Sequence, residues 1–325
     1  MSTARQIIAL LKSHIEGDDT QFLSVAMQVA AQEARQGHGK IAQELRALID
    51  QAKERKGAVR RTGAIPLVQP KGELAALLSV VYPEVRLAGM VLPTELESRL
   101  RRVLREQKQQ NRLRDHGLSP RRKLLFLGPP GSGKTMTAAA LAGELALPLF
   151  TILLEGVITK FMGETAAKLR SVFDAMADTR GVYLFDEFDA IGARRSSSND
   201  VGEIRRVLNS FLQFLEQDES SSLVIAATNH PELLDPALFR RFDDVIEYAL
   251  PEPELAHRIV EARLATFDTG ALDWSAVTDA AAGLSQAEIA RAADEAAKSA
   301  VLEGHTRIAT AELLDSLSER RRASR

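Results

Sequence analysis

The sequence predicts an α/β fold: a five-stranded parallel sheet with helices on both faces, followed by a small all-α domain and preceded by a small helical region. Three observations predict it. From Lys123 onward, short runs rich in branched residues, at 124–127, 149–153, 182–185, 223–227 and 245–249, alternate with helical stretches. Runs that are apolar throughout are strands buried on both faces, and strands alternating with helices form parallel sheets. Beyond Pro251 and Pro253 no such run recurs, and helical stretches near 254–266, 275–282, 286–303 and 310–319 take over.

The elements follow in order. In residues 1–56, Ile7, Ile8, Leu10, Leu11 and Ile15 mark one helix face. Phe22, Val25, Ala26 and Val29 mark a second, and Ile41, Leu45, Leu48 and Ile49 a third. Glycine-containing breaks at 17–20 and 37–39 separate them. The region reads as a helical appendage for docking a substrate or partner. Residues 57–86 read as a linker, because 57–72 carries Gly, Pro and basic residues without any period. A long amphipathic helix is expected near 94–114, with Leu96, Leu100, Val103 and Leu104 on its apolar side. The α/β domain then occupies 87–250 and the helical domain 251–325, ending in a basic tail that reads as a solvated end.

Composition removes several function classes. The 325 residues include 42 Lys+Arg against 44 Asp+Glu, a net charge of −2, so no global field draws the chain to nucleic acid or an acidic membrane. With no cysteine, a disulfide scaffold, a thiolate metal site and a cysteine nucleophile are excluded. The most membrane-like stretch, 138–154, is interrupted by Glu144 and Pro148 and falls short of the ~20 apolar residues a span needs. The start of the chain lacks a basic n-region. A cytoplasmic protein without a membrane segment is expected.

Gly128-Pro129-Pro130-Gly131-Ser132-Gly133-Lys134-Thr135 fits G-x-x-x-x-G-K-[ST], between a predicted strand and a predicted helix that continues through Met136. That context makes it a phosphate loop and the domain a P-loop NTPase. Its glycines allow backbone N–H groups to converge on phosphate oxygens, and the helix N-terminus adds partial positive charge. Lys134 is expected to neutralise the outer phosphates of ATP, and the Thr135 hydroxyl to bind Mg²⁺.

Two strands end in polar residues. The run 182–185 ends in Asp186-Glu187, at the strand end that faces the ligand crevice of open α/β sheets. Asp186 is expected to hold Mg²⁺ through water and Glu187 to polarise the attacking water. The plainer alternative is a pair of acids solvating a strand end. The run 223–227 ends in Thr228-Asn229. Asn229 either helps place the water or is a turn residue before Pro231. Arg240-Arg241 lie between apolar anchors just before the last strand. They are either surface charges or arginine fingers that stabilise the transferring phosphoryl group.

Four ordered motifs, GPPGSGKT, VYLFDEFD, AATN and LDPALFRRFD, together resemble the AAA+ ATPases over about residues 87–318. The similarity is strongest to the AAA group of protein-unfolding and complex-remodelling machines. It implies an ATPase that works as a homo-oligomeric ring, a hexamer, with Arg240 and Arg241 acting on the neighbouring subunit's ATP. The family places two residues between these arginines, whereas here they are adjacent. It also implies a substrate-gripping pore loop at Lys160-Phe161-Met162, ahead of Gly163-Glu164, for which the alternative is Phe161 packed in the core. A second pore-facing loop is expected over 194–200. In the helical domain, 283–289 resembles the segment that packs against the nucleotide, with Ala287 in contact and Gln286 where glycine is usual.

The reading is therefore an ATP-hydrolysing ring that remodels, unfolds or threads a protein. One alternative is a nucleic-acid-associated AAA+ motor or loader, against which stand the pore-loop pattern and the lack of a DNA-binding module. Another is a nucleotide-dependent scaffold or switch, against which stand Glu187 and the arginine pair.

Overall fold

The computed structural model describes residues 70, 72–157, 162–191, 200–234 and 236–323, together with Ala26 and Val29. The chain divides into a unit of Met1–Leu67 and a unit of Val68–Arg325. Ala26 and Val29 are helical. The other residues of the expected N-terminal helices lie outside the described residues.

In the second unit, β1 (Leu78–Val81), β2 (Lys123–Leu127), β3 (Leu149–Ile152), β4 (Val182–Phe185), β5 (Leu223–Thr228) and β6 (Asp244–Glu247) form one sheet in the order β1-β3-β4-β5-β2-β6. All five expected strands are present and pair parallel with one another. The sheet has six strands rather than five, because β1 pairs antiparallel with β3, from Leu78↔Ile152 to Val81↔Leu149. β1 falls within the stretch read as linker. It is a four-residue edge strand with only Leu78 buried, so its strand state comes from pairing with β3 rather than from a local pattern.

Every residue of β4 and β5 is buried. Successive side chains of these strands enter opposite cores. Leu125, Tyr183, Phe185 and Val224 pack with Leu169, Val172 and Phe173 of the helix α5 (Met162–Asp178) and with Phe211 and Leu215 of α6 (Asp200–Gln217). Leu124, Phe126, Leu184 and Ile225 pack on the other face, against α1 (Thr94–Lys108) and α3 (Lys134–Leu145). The amphipathic helix expected over 94–114 is two helices, α1 and α2 (Gln110–Arg114), because Gln109 leaves helical geometry at φ −109°, ψ 21°. α4 (Leu154–Val157) and α7 (Pro236–Phe239) are single turns.

The helical domain contains the four expected helices, α8 (Pro253–Arg263), α9 (Trp274–Ala281), α10 (Gln286–Leu302) and α11 (Thr310–Ala323). Ala292, Ala293, Ala296 and Ala300 form the buried stripe of α10, and small side chains let neighbouring helices approach closely. Asp273 and Ser285 cap α9 and α10, accepting from Ala276 N at 3.1 Å and Glu288 N at 3.3 Å.

Candidate nucleotide site

The loop between β2 and α3 is built on positive backbone angles, with φ +148° at Gly128, +71° at Gly131 and +97° at Gly133. The surroundings also require two of these glycines. A Cβ on Gly128 would stand 2.3 Å from the Tyr248 carbonyl oxygen, and one on Gly131 would stand 2.5 Å from Ser285 Oγ. The loop is thus clasped between the end of β6 and the start of α10. The Ala287 N–H donates to the Gly131 carbonyl at 3.0 Å, which bonds the helical domain to the loop.

Lys134 opens α3 and is 6% exposed. Its Nζ donates to the carbonyls of Gly128 at 2.7 Å and Pro129 at 2.9 Å, and to Asn229 Oδ1 at 2.8 Å. Burial pushes its pKa below the usual lysine value, while the Asp186 and Asp189 charges pull it back up. The Thr135 hydroxyl donates to Asp186 Oδ2 at 2.7 Å, so a hydroxyl and a carboxylate from different elements meet beside the loop. Such an oxygen pair fits Mg²⁺, which takes one or two carboxylates plus substrate phosphates rather than an all-protein cage. The other Asp186 oxygen accepts from Glu187 N at 3.0 Å. Glu187 is exposed and has φ +50°, a left-handed conformation unusual for a residue with a Cβ. This turn lifts its carboxylate off the end of β4 into the crevice.

These groups line one cavity of about 670 Å³. Its polar end carries Gly131, Lys134, Thr135, Asp186, Glu187 and Asn229, with Pro130, Ser132, Gly133 and Met136 also on the wall. Ala287 and Gln286 close it from the helical domain. Val85, Met90, Val91 and Ile259 supply apolar wall, and Arg263 of α8 lines the same cavity. The phosphate loop, both polar strand ends and the helical domain therefore converge. Arg240 and Arg241 are not among the cavity's residues. Arg241 is ion-paired with Glu216 of α6. Arg240 is exposed and has no ion pair among the described residues. Lys160 and Phe161 lie outside the described residues, as does 194–199, and α5 begins at Met162.

Sequence reasoning missed Asp189. Its Oδ1 accepts from Thr228 Oγ1 at 2.8 Å and Asn229 N at 3.4 Å, which fixes the end of β5. The signal was available as the third acid of Asp186-Glu187-Phe188-Asp189. Met90, Val91 and Ile259 gave no signal, because an apolar ligand wall looks like core in a sequence.

The profile of the ATPase family associated with various cellular activities (AAA) matches residues 124–250. An uncharacterized AAA family ATPase, y4kL, of Sinorhizobium fredii is 34% identical over 287 residues, covering 88% of this chain and 86% of that protein. An ATP-dependent zinc metalloprotease FtsH of Lancefieldella parvula is 37% identical over 60% of this chain, which spans 32% of that protein. The proteasome-activating nucleotidase of Pyrococcus horikoshii is 33% identical over 62% of this chain and 53% of its own length. The crystal structure of the FIGL-1 AAA domain aligns with TM-score 0.61 over 78% of this chain and 90% of that one, at 23% identity, a likeness of fold. The match to the Sinorhizobium protein runs well beyond the residues around the phosphate loop, and it places this chain in the AAA family of ATPases, enzymes that hydrolyse ATP.

Proposed function

We propose that the chain works as a homo-oligomeric ring, a hexamer, which couples ATP hydrolysis to remodelling or unfolding a protein substrate. The observation that carries this reading is the placement of Arg240. Lys134, Thr135, Asp186, Glu187 and Asn229 line one cavity, whereas both arginines lie outside it, and of the two Arg240 is exposed and without an ion pair among the described residues. An arginine finger that serves a neighbouring subunit needs that freedom, and a switch that never hydrolyses does not.

Within the cavity, the N–H groups of the phosphate loop and of the first turn of α3 hold the phosphates. Lys134 exchanges loop carbonyls for phosphate oxygens. Thr135 and Asp186 hold Mg²⁺, which when bound supplies positive charge to the phosphates. Glu187 orients a water and accepts its proton as the water oxygen bonds to the terminal phosphorus. The bond from that phosphorus to the bridging oxygen breaks, giving ADP and phosphate. Asn229, fixed through Asp189, positions Lys134 and the water. Arg240 of one subunit stabilises charge on the neighbour's terminal phosphate, and Arg241 steadies the segment through Glu216.

Protein handling is supported by the FtsH and proteasome-activating relatives, of which this chain spans only part. The grip is proposed at Lys160, Phe161 and Met162, and docking at the N-terminal region. Among the described residues no helix is long and apolar enough to cross a membrane, and the compartment proposed is the cytoplasm, where ATP is kept. The test is subunit mixing. Arg240→Ala chains and Glu187→Gln chains, each inactive alone, should regain ATPase activity when mixed, because an intact Glu187 then meets an intact Arg240 across the subunit boundary. A mixture no more active than the two variants alone would refute action in trans.

A further inference from the structure

Cations gather at the end of the sheet opposite the nucleotide cavity. Residues 99–123, from α1 through α2 to the start of β2, carry ten Lys and Arg against two acids, in a chain whose net charge is −2. Several are neutralised in place: Arg99 by Asp244, Arg121 by Glu106 and Arg122 by Asp218. Arg114, which ends α2, and Arg180, just before β4, are exposed, and neither has an ion pair among the described residues. They are nevertheless held together. Arg180 Nε donates to the Ser221 carbonyl at 3.2 Å. With the Gln110 amide turned to satisfy both groups, its oxygen accepts from Arg180 Nη1 at 3.1 Å and Nη2 at 2.8 Å. Gln110 and Arg114, four residues apart, share one face of α2. Burial, and then the Arg114 charge, push the pKa of Arg180 below the usual arginine value. The C-terminus of α2 accounts for a cation at Arg114. It does not account for a second one brought from another element to face it.

We infer that this face docks an acidic segment of a partner protein, its carboxylates on Arg114 and Arg180 and an apolar side chain on Leu118. Guanidinium forks match carboxylates in shape as well as charge. Leu118 stands on the turn that closes α2, its N–H bonded to Leu113 O at 2.9 Å, and is 57% exposed. Nucleic acid fits less well. A phosphate backbone gains nothing from Leu118 and is repelled by the exposed Asp115, and among the described residues no aromatic side chain is exposed for a base to stack on. The face lies where β2 and β4 begin, away from the phosphate loop at the far end of β2, so the inference goes beyond the ATPase reading and does not depend on it.

The test is fluorescence anisotropy of the full chain with a labelled poly-glutamate peptide carrying one central leucine, with its poly-lysine counterpart and with oligothymidylate. Wild type should bind the acidic peptide, less tightly as salt is raised, and should not bind the basic one. An exposed ion pair is worth a factor of about five at most, so Arg114→Ala should weaken the acidic peptide about fivefold, and Arg114→Ala/Arg180→Ala about tenfold or more. Basal ATPase activity should stay unchanged in both. Arg114→Ala alone, at an exposed side chain, keeps the test readable if the double variant fails to fold. No binding of the acidic peptide by wild type, or binding undiminished in Arg114→Ala, would overturn the inference. So would oligothymidylate that binds more tightly than the peptide and competes with it. A fall in oligomer mass on Arg114→Ala, read by light scattering, would overturn it too, because the face would then be a contact between copies of this chain.

Discussion

The Nζ of Lys134 donates to the Oδ1 of Asn229 at 2.8 Å, across 95 residues of sequence. This bond links the loop after β2 to the end of β5. It makes Asn229 a positioning group for the lysine as well as a wall of the cavity. Asn229→Ala should lower turnover by about a hundredfold, the usual cost of removing one preorganised polar group at a reacting centre. The change removes neither a loop N–H nor the charge on Lys134, so ADP affinity should fall far less. Steady-state phosphate release and ADP titration on the same preparation check this, and undiminished turnover would return Asn229 to a turn residue.

Glu187→Gln should bind ATP with wild-type affinity and hydrolyse it at least about a hundredfold more slowly, because an amide does not accept the water's proton. Lys134→Ala should lose binding as well. Equal steady-state rates in wild type and Glu187→Gln would remove the proposed general base.

The arginine pair should divide its work. Arg240→Ala should abolish activity in the assembled protein while leaving thermal stability within error, since the side chain is exposed. Arg241→Ala and Glu216→Ala should each shift the melting temperature only slightly, because both members of the pair are about half exposed, at 48% and 43%, and such pairs contribute about 0–1 kcal/mol. Glu216→Ala should also retain hydrolysis. The reverse pattern, with Arg241→Ala inactive and Arg240→Ala active, would exchange their roles.

Gly128→Ala should fail through geometry. Its Cβ would overlap the Tyr248 carbonyl at 2.3 Å, and φ +148° disfavours any side chain. Overpacking of this kind costs about 1–3 kcal/mol. Both a lowered melting temperature and weakened ADP binding are expected, whereas Gly117→Ala, which meets open space but is itself strained at φ +72°, should lower the melting temperature without weakening ADP binding.

Much of this was legible in the sequence for one physical reason. Strands buried on both faces are apolar throughout, so β2, β4 and β5 announce themselves, and the polar residues that end them are conspicuous by contrast. Asp186, Glu187 and Asn229 stand out in this way and Lys134 and Thr135 through the spacing of the phosphate-loop motif, and the fold brings all five to one cavity. Other features depend on partners distant in the chain. β1 becomes a strand by pairing with β3 and carries little pattern of its own. Asp189 supports Asn229 through a bond that only the fold creates. Met90 and Val91 join Ile259 on the apolar wall of the cavity from far apart in the chain, and an apolar side chain facing a ligand has the same composition as one facing a core. The adjacent arginines were visible, but which of them is tied down is a matter of Glu216, a residue on α6 that no local spacing connects to them.

The ladder between β2 and β6 runs from Leu124↔Asp244 to Leu127↔Glu247. It begins just after the arginine pair and ends at the glycine that opens the phosphate loop, a distance on the order of 10 Å at the usual rise of a strand. Both strands are hydrogen-bonded along this length, and the ladder contains no glycine or proline at which to bend. In the proposed ring, the nucleotide a subunit holds and the arginine it offers next door are therefore mounted on opposite ends of a single stiff rod. Such a rod would carry a displacement of Arg240 to the phosphate loop without a relay of side chains between them.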